Sequence, residues 1–217
     1  MKERPILFNG PMVRAVLEGR KTMTRRIVKL RANEEMHDGD ENNFHAVMDH
    51  GTHVTERVVK CPFGQPGDRL WVREAWAHND GWYDDTDAVA WKNWHGERNS
   101  RQCATWVDYR ATYQKVKDGC ERDWPWRPSI HMPRWASRIT LEVTGARVER
   151  LCEITEADAR AEGVECFDDT KTFRSYWDDF CVCLSAKDSF QTLWAKINGP
   201  DSWDANPWVW VVEFRRV

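Results

Sequence analysis

The sequence predicts an α+β fold built around a small β-barrel, with short flanking helices and long loop insertions. Segments with the alternation of strands outnumber segments with helical spacing, and the two kinds do not alternate regularly as a doubly wound sheet would require. The 217 residues, of which 41% are hydrophobic, suffice for one buried core. We therefore expect a single domain spanning residues 1–217.

The N-terminal segment predicts a strand followed by a helix. Residues 6–8 form the strand, and the helix begins at Pro11, a residue suited to the first turn. Gly19 stands where a left-handed residue ends a helix. The basic string from Gly19 to Arg26 therefore begins where this helix ends.

Three polar stretches without a clear period are predicted to be insertions, at residues 31–60, 78–125 and 165–187. The first is predicted to be a long loop or a partly disordered insertion. Between the insertions the pattern predicts strands at 69–76, 137–144 and 208–214 and helices at 156–162 and 189–197. Thr155 is a good N-cap for the first of these helices, and Gly163 supplies its end.

Charge is nearly balanced over the chain, with 32 Lys and Arg against 35 acids, but it is unevenly placed. Residues 1–31 carry nine Lys or Arg and two Glu, a sum of +7, whereas residues 32–60 sum to −5. This asymmetry indicates a localised phosphate-facing patch. Two ordinary solvated surfaces explain it equally well.

Seven irregularly spaced cysteines, without an export signal or a membrane-length apolar stretch, predict reduced thiols and a cytoplasmic protein without a membrane partner. No C-x-x-C occurs, so we expect neither a metal nor a cofactor. The phosphate-binding, dinucleotide and zinc-deaminase motifs are also missing from the sequence. Nucleotide-driven motors and zinc deaminases are therefore poor interpretations.

Fourteen tryptophans are an unusual number, and eight of them lie between Trp71 and Trp126. Indoles usually pack in a core, but in a cleft they stack on unpaired bases. We expect packing for Trp71, Trp194, Trp208 and Trp210. The candidates for base platforms are Trp76, Trp124, Trp126 and Trp135.

Four segments together resemble the ASCH family, most closely its longer members from phages and prophages. They are the helix leading into G-R-K-T-M-T-R-R at 19–26, the G-D turn at 67–68 with its following strand, T-E-A-D-A-R-A-E-G at 155–163, and the last strand. The likeness covers residues 4–30, 61–77, 126–163 and 189–217. It implies a PUA-like pseudo-barrel that binds RNA or a modified nucleoside.

Small bacterial members of that family hydrolyse N4-acetylcytidine to cytidine and acetate with a Lys, a Thr and a Glu. The resemblance assigns these roles to Lys21, Thr24 and Glu162, with Glu74 as a second candidate carboxylate. Lys21 and Thr24 can meet only if the chain bends after Gly19, because strand positions three apart face opposite ways.

The predicted nucleic-acid contacts are Arg20, Arg25, Arg26 and Arg73, together with Trp76, Trp124 and Trp126. A bent, partly desolvated Lys21 near these cations would have a lowered pKa, as a base requires. The chain is about twice as long as the small hydrolases. The alternatives are a non-catalytic PUA-like reader of RNA or modified nucleic acid, a ribonuclease, and a phage assembly role. A monomer is favoured.

Overall fold

The computed structural model describes residues 1–37, 44–49, 53–78, 107–113, 126–167, 171–178 and 181–217. Most of the predicted insertion at 78–125, with Trp124, lies outside these ranges. No helix within them is long and apolar enough to cross a membrane.

Strands dominate the described ranges, and helices are few, which confirms the α+β class. The strands are β1 (Glu3–Leu7), β2 (Met23–Ile27), β3 (Glu35–His37), β4 (Phe44–Asp49), β5 (Val54–Val59), β6 (Arg69–Arg73), β7 (Trp76–His78), β8 (Val107–Tyr109), β9 (Thr140–Arg150), β10 (Cys166–Phe167), β11 (Thr172–Arg174), β12 (Val182–Cys183) and β13 (Trp208–Arg216). The helices are α1 (Gly10–Leu17), α2 (Glu156–Ala161) and α3 (Ala186–Asn198).

The largest sheet has five strands in the order β1-β6-β9-β13-β2. Its strand β13 runs antiparallel to both β9 and β2. Smaller sheets are formed by β3-β4-β5, by β10-β11-β12 and by the pair β7-β8. These described strands do not close into a barrel, so the small barrel remains a prediction.

The chain divides into two compact units. The first comprises Met1–Arg4, Ala15–Leu70 and Leu141–Val217, and the second comprises Pro5–Arg14 and Trp71–Thr140. This division cuts within strands β1 and β6. It therefore neither confirms nor contradicts the prediction of a single domain.

The core of the first unit lies between helix α3 and one face of β2 and β13. Phe190 and Trp194 of α3 are buried with Met23 of β2 and with Val209 and Val211 of β13. Helix α3 begins cleanly because the Ser185 hydroxyl accepts a hydrogen bond from the Asp188 amide at 3.0 Å. This face of β2 also carries the residues of the candidate site.

The second unit has a smaller core around the antiparallel pair β7-β8. Trp76, Val107, Met132 and Ala136 are buried together. The Tyr109 hydroxyl donates to the Ala136 carbonyl at 2.9 Å and joins this pair of strands to residues 134–136.

The prediction of a loop over residues 31–60 is wrong, because β3, β4 and β5 form an antiparallel sheet there. Its apolar face is small: Met36 and Ala46 are buried as a cross-strand pair, with Val59 beside them. Each of these three short strands has one buried hydrophobic position, which is too few for a strand-like alternation to be recognised in the sequence. The described residues of the predicted insertion at 165–187 include β10, β11 and β12.

Candidate functional site

The bend that the sequence required after Gly19 is present. Gly19 has φ of +76°, and the amides of Arg20 and Lys21 both donate to the Ala15 carbonyl, at 2.9 and 3.0 Å. The chain therefore reverses at the end of α1 before it extends as β2. Lys21 is left beside Glu162, with which it forms a β-bridge.

Helix α2 delivers Glu162 to this bend. Its N-cap is Thr155, as predicted, and the Thr155 hydroxyl accepts from the Asp158 amide at 3.1 Å. Glu162 follows the last helical residue, and the Thr22 amide donates to the Ala161 carbonyl at 2.9 Å. Two backbone contacts thus join the end of α2 to the start of β2.

Gly163 permits this close approach. It has φ of +86°, and a Cβ at this position would lie 2.9 Å from both the Ala15 Cβ and the Lys21 Cβ. Real Cβ atoms essentially never come within 3.0 Å of such neighbours. Only glycine therefore fits between α1 and Lys21 without a shift.

Lys21 and Glu162 form a buried ion pair. Lys21 Nζ donates to Glu162 Oε2 at 2.7 Å, and to the carbonyls of Met23 and Glu162 at 2.8 Å each. The side chains are 1% and 4% exposed. Burial lowers the pKa of Lys21 below its ordinary 10.5; Glu162 opposes this, and nearby Arg26 and Arg25 add to it.

Arg25 is part of the same buried cluster, and its contact with phosphate stays a prediction. Its side chain is fully enclosed, and its guanidinium donates to Asp158 Oδ2 at 2.9 Å and to Glu149 Oε1. Arg25 Nη1 lies 3.5 Å from Glu162 Oε1. Because strand side chains alternate, Arg25 shares the core-facing side of β2 with Met23.

The cluster continues to the protein surface through Arg147. This residue pairs with Val211 of β13, which pairs in turn with Arg25. Arg147 contacts Glu149 at 3.1 Å and Asp158 at 3.2 Å. It also contacts Glu213, and both of these side chains are about 40% exposed.

Sequence patterns do not identify Glu149, Asp158 and Arg147 as members of the site. One signal was available: Arg147 and Glu149 are two apart on a strand and must share one face. Nothing in the sequence indicates that this face meets Arg25.

Two buried polar atoms of the cluster lack a hydrogen-bond partner among the described residues. They are Glu162 Oε1 and Arg25 Nε. Glu162 Oε1 accepts no hydrogen bond but lies in ion-pair contact with Arg25 Nη1 at 3.5 Å, while Glu162 Oε2 accepts from Lys21. A carboxylate in this state can accept the hydrogen of an incoming amide or hydroxyl group.

Thr24 is buried on β2, where it pairs with Val212 of β13. It lies next to Arg25 in the strand, so the two side chains point to opposite faces. The convergence that the structure shows is that of Lys21 with Glu162 and Arg25.

Glu74, the second candidate carboxylate, belongs to an ion pair of the second unit. Its two oxygens accept from Arg138 Nε at 2.9 Å and Arg138 Nη2 at 3.0 Å. Burial raises the pKa of Glu74 above 4.5, and Arg138 holds it down in part. A cation already neutralises this carboxylate.

The other predicted arginines have partners of their own. Arg20 donates to Glu18 at 2.8 Å and to the Gly163 carbonyl at 2.9 Å. Arg26 is half-buried, and burial lowers its pKa. Arg73 donates to the Ile130 carbonyl and lies over the Trp71 ring, 5.4 Å from its centroid.

The tryptophans divide between core and surface. Trp194 and Trp210 are buried, as predicted, whereas Trp71 and Trp208 are half-buried. Trp76 is 2% exposed, so in this structure it has no open face for a base. Trp126 is half-buried against Tyr113, with ring centroids 5.3 Å apart, and Trp135 is 45% exposed.

Across the described ranges no three His, Cys, Asp or Glu side chains are grouped to hold a metal ion. Comparison of the chain with protein families, with curated proteins and with solved structures finds no match. The resemblance to the ASCH family therefore depends on the quoted segments alone.

Proposed function

We propose that this chain is an ASCH-type protein with a PUA-like fold, which acts on a modified nucleoside, free or within RNA. The proposed reaction is the metal-independent hydrolysis of the acetyl amide of N4-acetylcytidine. One observation carries the proposal: a buried ammonium, Lys21 Nζ, lies 2.7 Å from Glu162 Oε2, and burial lowers its pKa. A lysine whose pKa is lowered by burial and whose ammonium is held by a carboxylate is a candidate general acid–base group.

In the proposed reaction the nucleophile is the Thr24 hydroxyl, the role that the resemblance assigns to it, and Lys21 in its neutral form takes its proton. This step requires the Thr24 hydroxyl to reach Lys21 Nζ, although Thr24 and Arg25 point to opposite faces of β2. The Thr24 oxygen attacks the acetyl carbon, and the bond between that carbon and the exocyclic nitrogen breaks. The proton passes through Lys21 or Glu162 to this nitrogen, releasing cytidine. Water then cleaves the acetyl-threonine ester to acetate, so that one water is consumed for each amide hydrolysed.

Glu162 has a second role in this proposal. Its Oε1 has no hydrogen-bond partner among the described residues, and the amide of N4-acetylcytidine carries one N–H. We infer that Glu162 Oε1 accepts this hydrogen and so selects an acylated amine over an ester. Arg25 is enclosed, and its charge is balanced by Glu149 and Asp158, so its guanidinium does not face a phosphate. We therefore favour proton transfer over phosphate binding at this segment.

The test is release of cytidine and acetate from N4-acetylcytidine by the purified full chain, followed by chromatography. We expect turnover by the wild type, and at least a hundredfold loss in Lys21→Met, Glu162→Gln and Thr24→Val, within the range of about 10²–10⁴ for general acid–base groups. Lys29→Met is the matched control, because Lys29 is exposed and outside the cluster.

Thermal unfolding of every variant separates a chemical loss from a folding defect. Glu162→Gln keeps the shape of the side chain and is the variant least prone to misfold. No turnover by a folded wild type, or full turnover by a folded Lys21→Met, would reject the hydrolase. RNA binding without turnover would instead favour the non-catalytic reader, and RNA cleavage the ribonuclease.

A further inference from the structure

A network of arginines and carboxylates surrounds the Lys21–Glu162 pair within the first unit. We propose that Arg25 is a positioning residue of this site: it holds the Glu162 carboxylate in place and disfavours the charged form of Lys21, and Asp158 opposes its charge. This role rests on the proposed function, because it concerns turnover at the same site. The coupling of Arg25 and Asp158 to Lys21 is also measurable without turnover.

Helix α2 presents two carboxylates to Arg25. Asp158 and Glu162 are four positions apart, and the Glu162 amide donates to the Asp158 carbonyl at 2.9 Å, so the two side chains share one side of the helix end. Arg25 Nη2 donates to Asp158 Oδ2 at 2.9 Å, and Arg25 Nη1 lies 3.5 Å from Glu162 Oε1. One guanidinium thus contacts both carboxylates. A rotation of the Glu162 carboxylate would break its contacts with Arg25 and Lys21 together.

Arg25 is itself fixed in the core. Its side chain is fully enclosed, and Nη2 also donates to Glu149 Oε1. Its Nη1 donates to Met23 Sδ at 3.3 Å, and its Cζ lies 6.0 Å from the Phe190 ring centroid. A planar guanidinium held by these contacts cannot follow a moving carboxylate. Arg25 therefore determines where the Glu162 carboxylate lies.

The contact between Arg25 and Glu162 leaves room for a substrate. Glu162 Oε1 accepts no hydrogen bond, and its distance of 3.5 Å from Arg25 Nη1 exceeds the 2.7 Å between Glu162 Oε2 and Lys21 Nζ. A guanidinium at this distance attracts the carboxylate without forming a full hydrogen bond to it. Glu162 Oε1 can therefore accept the amide hydrogen of the substrate while the carboxylate keeps its position.

Arg147 binds the same two carboxylates as Arg25. It donates to Glu149 at 3.1 Å and to Asp158 at 3.2 Å. These four side chains carry two positive and two negative charges. Without Arg147 the two carboxylates would outweigh Arg25, and its attraction for Glu162 would be weaker.

The charges around Lys21 act on its pKa in opposite directions. Burial lowers the pKa of Lys21, Glu162 raises it, and Arg26 and Arg25 lower it further. Loss of the Arg25 charge should therefore raise the pKa of Lys21, whereas loss of the Asp158 charge leaves Arg25 less neutralised and should lower it. A merely structural role would not give shifts of opposite sign. The remaining charged groups of the network are Glu149 and Arg147 of β9 and Glu213 of β13.

The experiment measures kcat and KM for N4-acetylcytidine against pH with the full chain. Because neutral Lys21 is the active form, turnover should rise with pH through its pKa. We expect this rise to move by about one pH unit to higher pH in Arg25→Gln and by about one unit to lower pH in Asp158→Asn. Arg25→Lys keeps the charge and should restore most of the wild-type position. In Arg25→Gln kcat should fall with KM unchanged, because Arg25 does not touch the substrate.

Carbon NMR of lysine-labelled protein follows the same titration without turnover, and Lys21→Met identifies the Lys21 signal. Arg215→Gln is the matched control, because Arg215 is an exposed arginine paired with Glu142, and it should change neither the pH profile nor the titration.

An unshifted Lys21 titration in folded Arg25→Gln, or shifts of the same sign in Arg25→Gln and Asp158→Asn, would overturn the proposal. If Arg25→Gln does not fold, Asp158→Asn decides: a shift to lower pH supports the coupling, and no shift or the opposite shift overturns it. No turnover by a wild type whose Lys21 titration responds as expected would reject the hydrolase and support the coupling of Arg25 to Lys21.

Discussion

Lys21 Nζ and Glu162 Oε2 lie 2.7 Å apart and are almost wholly enclosed, although 141 positions separate the two residues in the chain. Enclosed opposite charges are costly to desolvate, and each is tolerated because the other is present. Removing one partner is therefore worse than removing both.

Lys21→Met should reduce the free energy of unfolding by about 3–5 kcal/mol, because it leaves the Glu162 carboxylate buried without its ammonium partner. The double variant Lys21→Met/Glu162→Leu should recover part of this loss. Urea unfolding measures both values. Equal stability of wild type and Lys21→Met would show that the pair is not formed in solution, and exposed Arg215→Met should stay within about 1 kcal/mol of wild type.

The same pair predicts a dependence on alkaline pH. Burial lowers the pKa of Lys21 below 10.5, so between the folded pKa and 10.5 the unfolded chain binds the proton more tightly than the folded chain. The free energy of unfolding contributed by Lys21 should therefore rise with pH over that range. The measurement is the difference between wild type and Lys21→Met in urea unfolding; a difference that falls with pH would contradict the lowered pKa.

Glu74 and Arg138 predict the opposite pH dependence of stability for the second unit. Arg138→Met leaves Glu74 buried without its cation, which should cost about 3 kcal/mol at neutral pH. Since the pKa of Glu74 is raised, the protonated form is favoured in the folded chain, and the loss should shrink as pH falls toward 4.5. Arg110→Met, at an exposed arginine of the same unit, should show no such trend. A loss independent of pH would exclude Glu74 as its cause.

Gly163→Ala tests the close approach behind Lys21. The strained backbone and the 2.9 Å contacts should together cost about 2–4 kcal/mol. Gly19→Ala is matched to it, with a similar positive φ but no atom within 4 Å of the added Cβ, and should cost about 1 kcal/mol. The difference in thermal unfolding between the two isolates the contact with Ala15 and Lys21. Equal losses would mean that strain alone is responsible.

Local chemistry was enough to predict how the chain delivers the pair. Gly19, Thr155 and Gly163 end or begin helices through their own backbone or hydroxyl groups, and these properties are visible in the sequence. Because the caps fix where α1 and α2 stop, they also fix where Lys21 and Glu162 emerge.

The environment of Arg25 could not be predicted in the same way. A basic string suggests solvated charge, and the carboxylates that neutralise Arg25 are more than a hundred positions away, at 124 for Glu149 and 133 for Asp158. The pairing of β13 with both β2 and β9 brings Glu149 to the face of Arg25, and helix α2 brings Asp158 to it. Such pairings depend on tertiary contacts, which periodicity does not encode.

Gly163, which lies against Lys21, also constrains how the sequence of this protein can diverge in evolution. A side chain at position 163 would press on Ala15 and Lys21, each with its Cβ at 2.9 Å, and a shift of Lys21 would disturb its contact with the carboxylate at position 162. Substitution at any one of positions 21, 162 and 163 should therefore be accompanied by substitution at the others. When diverged relatives of this chain are collected, those three columns should vary as a set, while Arg25 follows Glu149 and Asp158 as a second set.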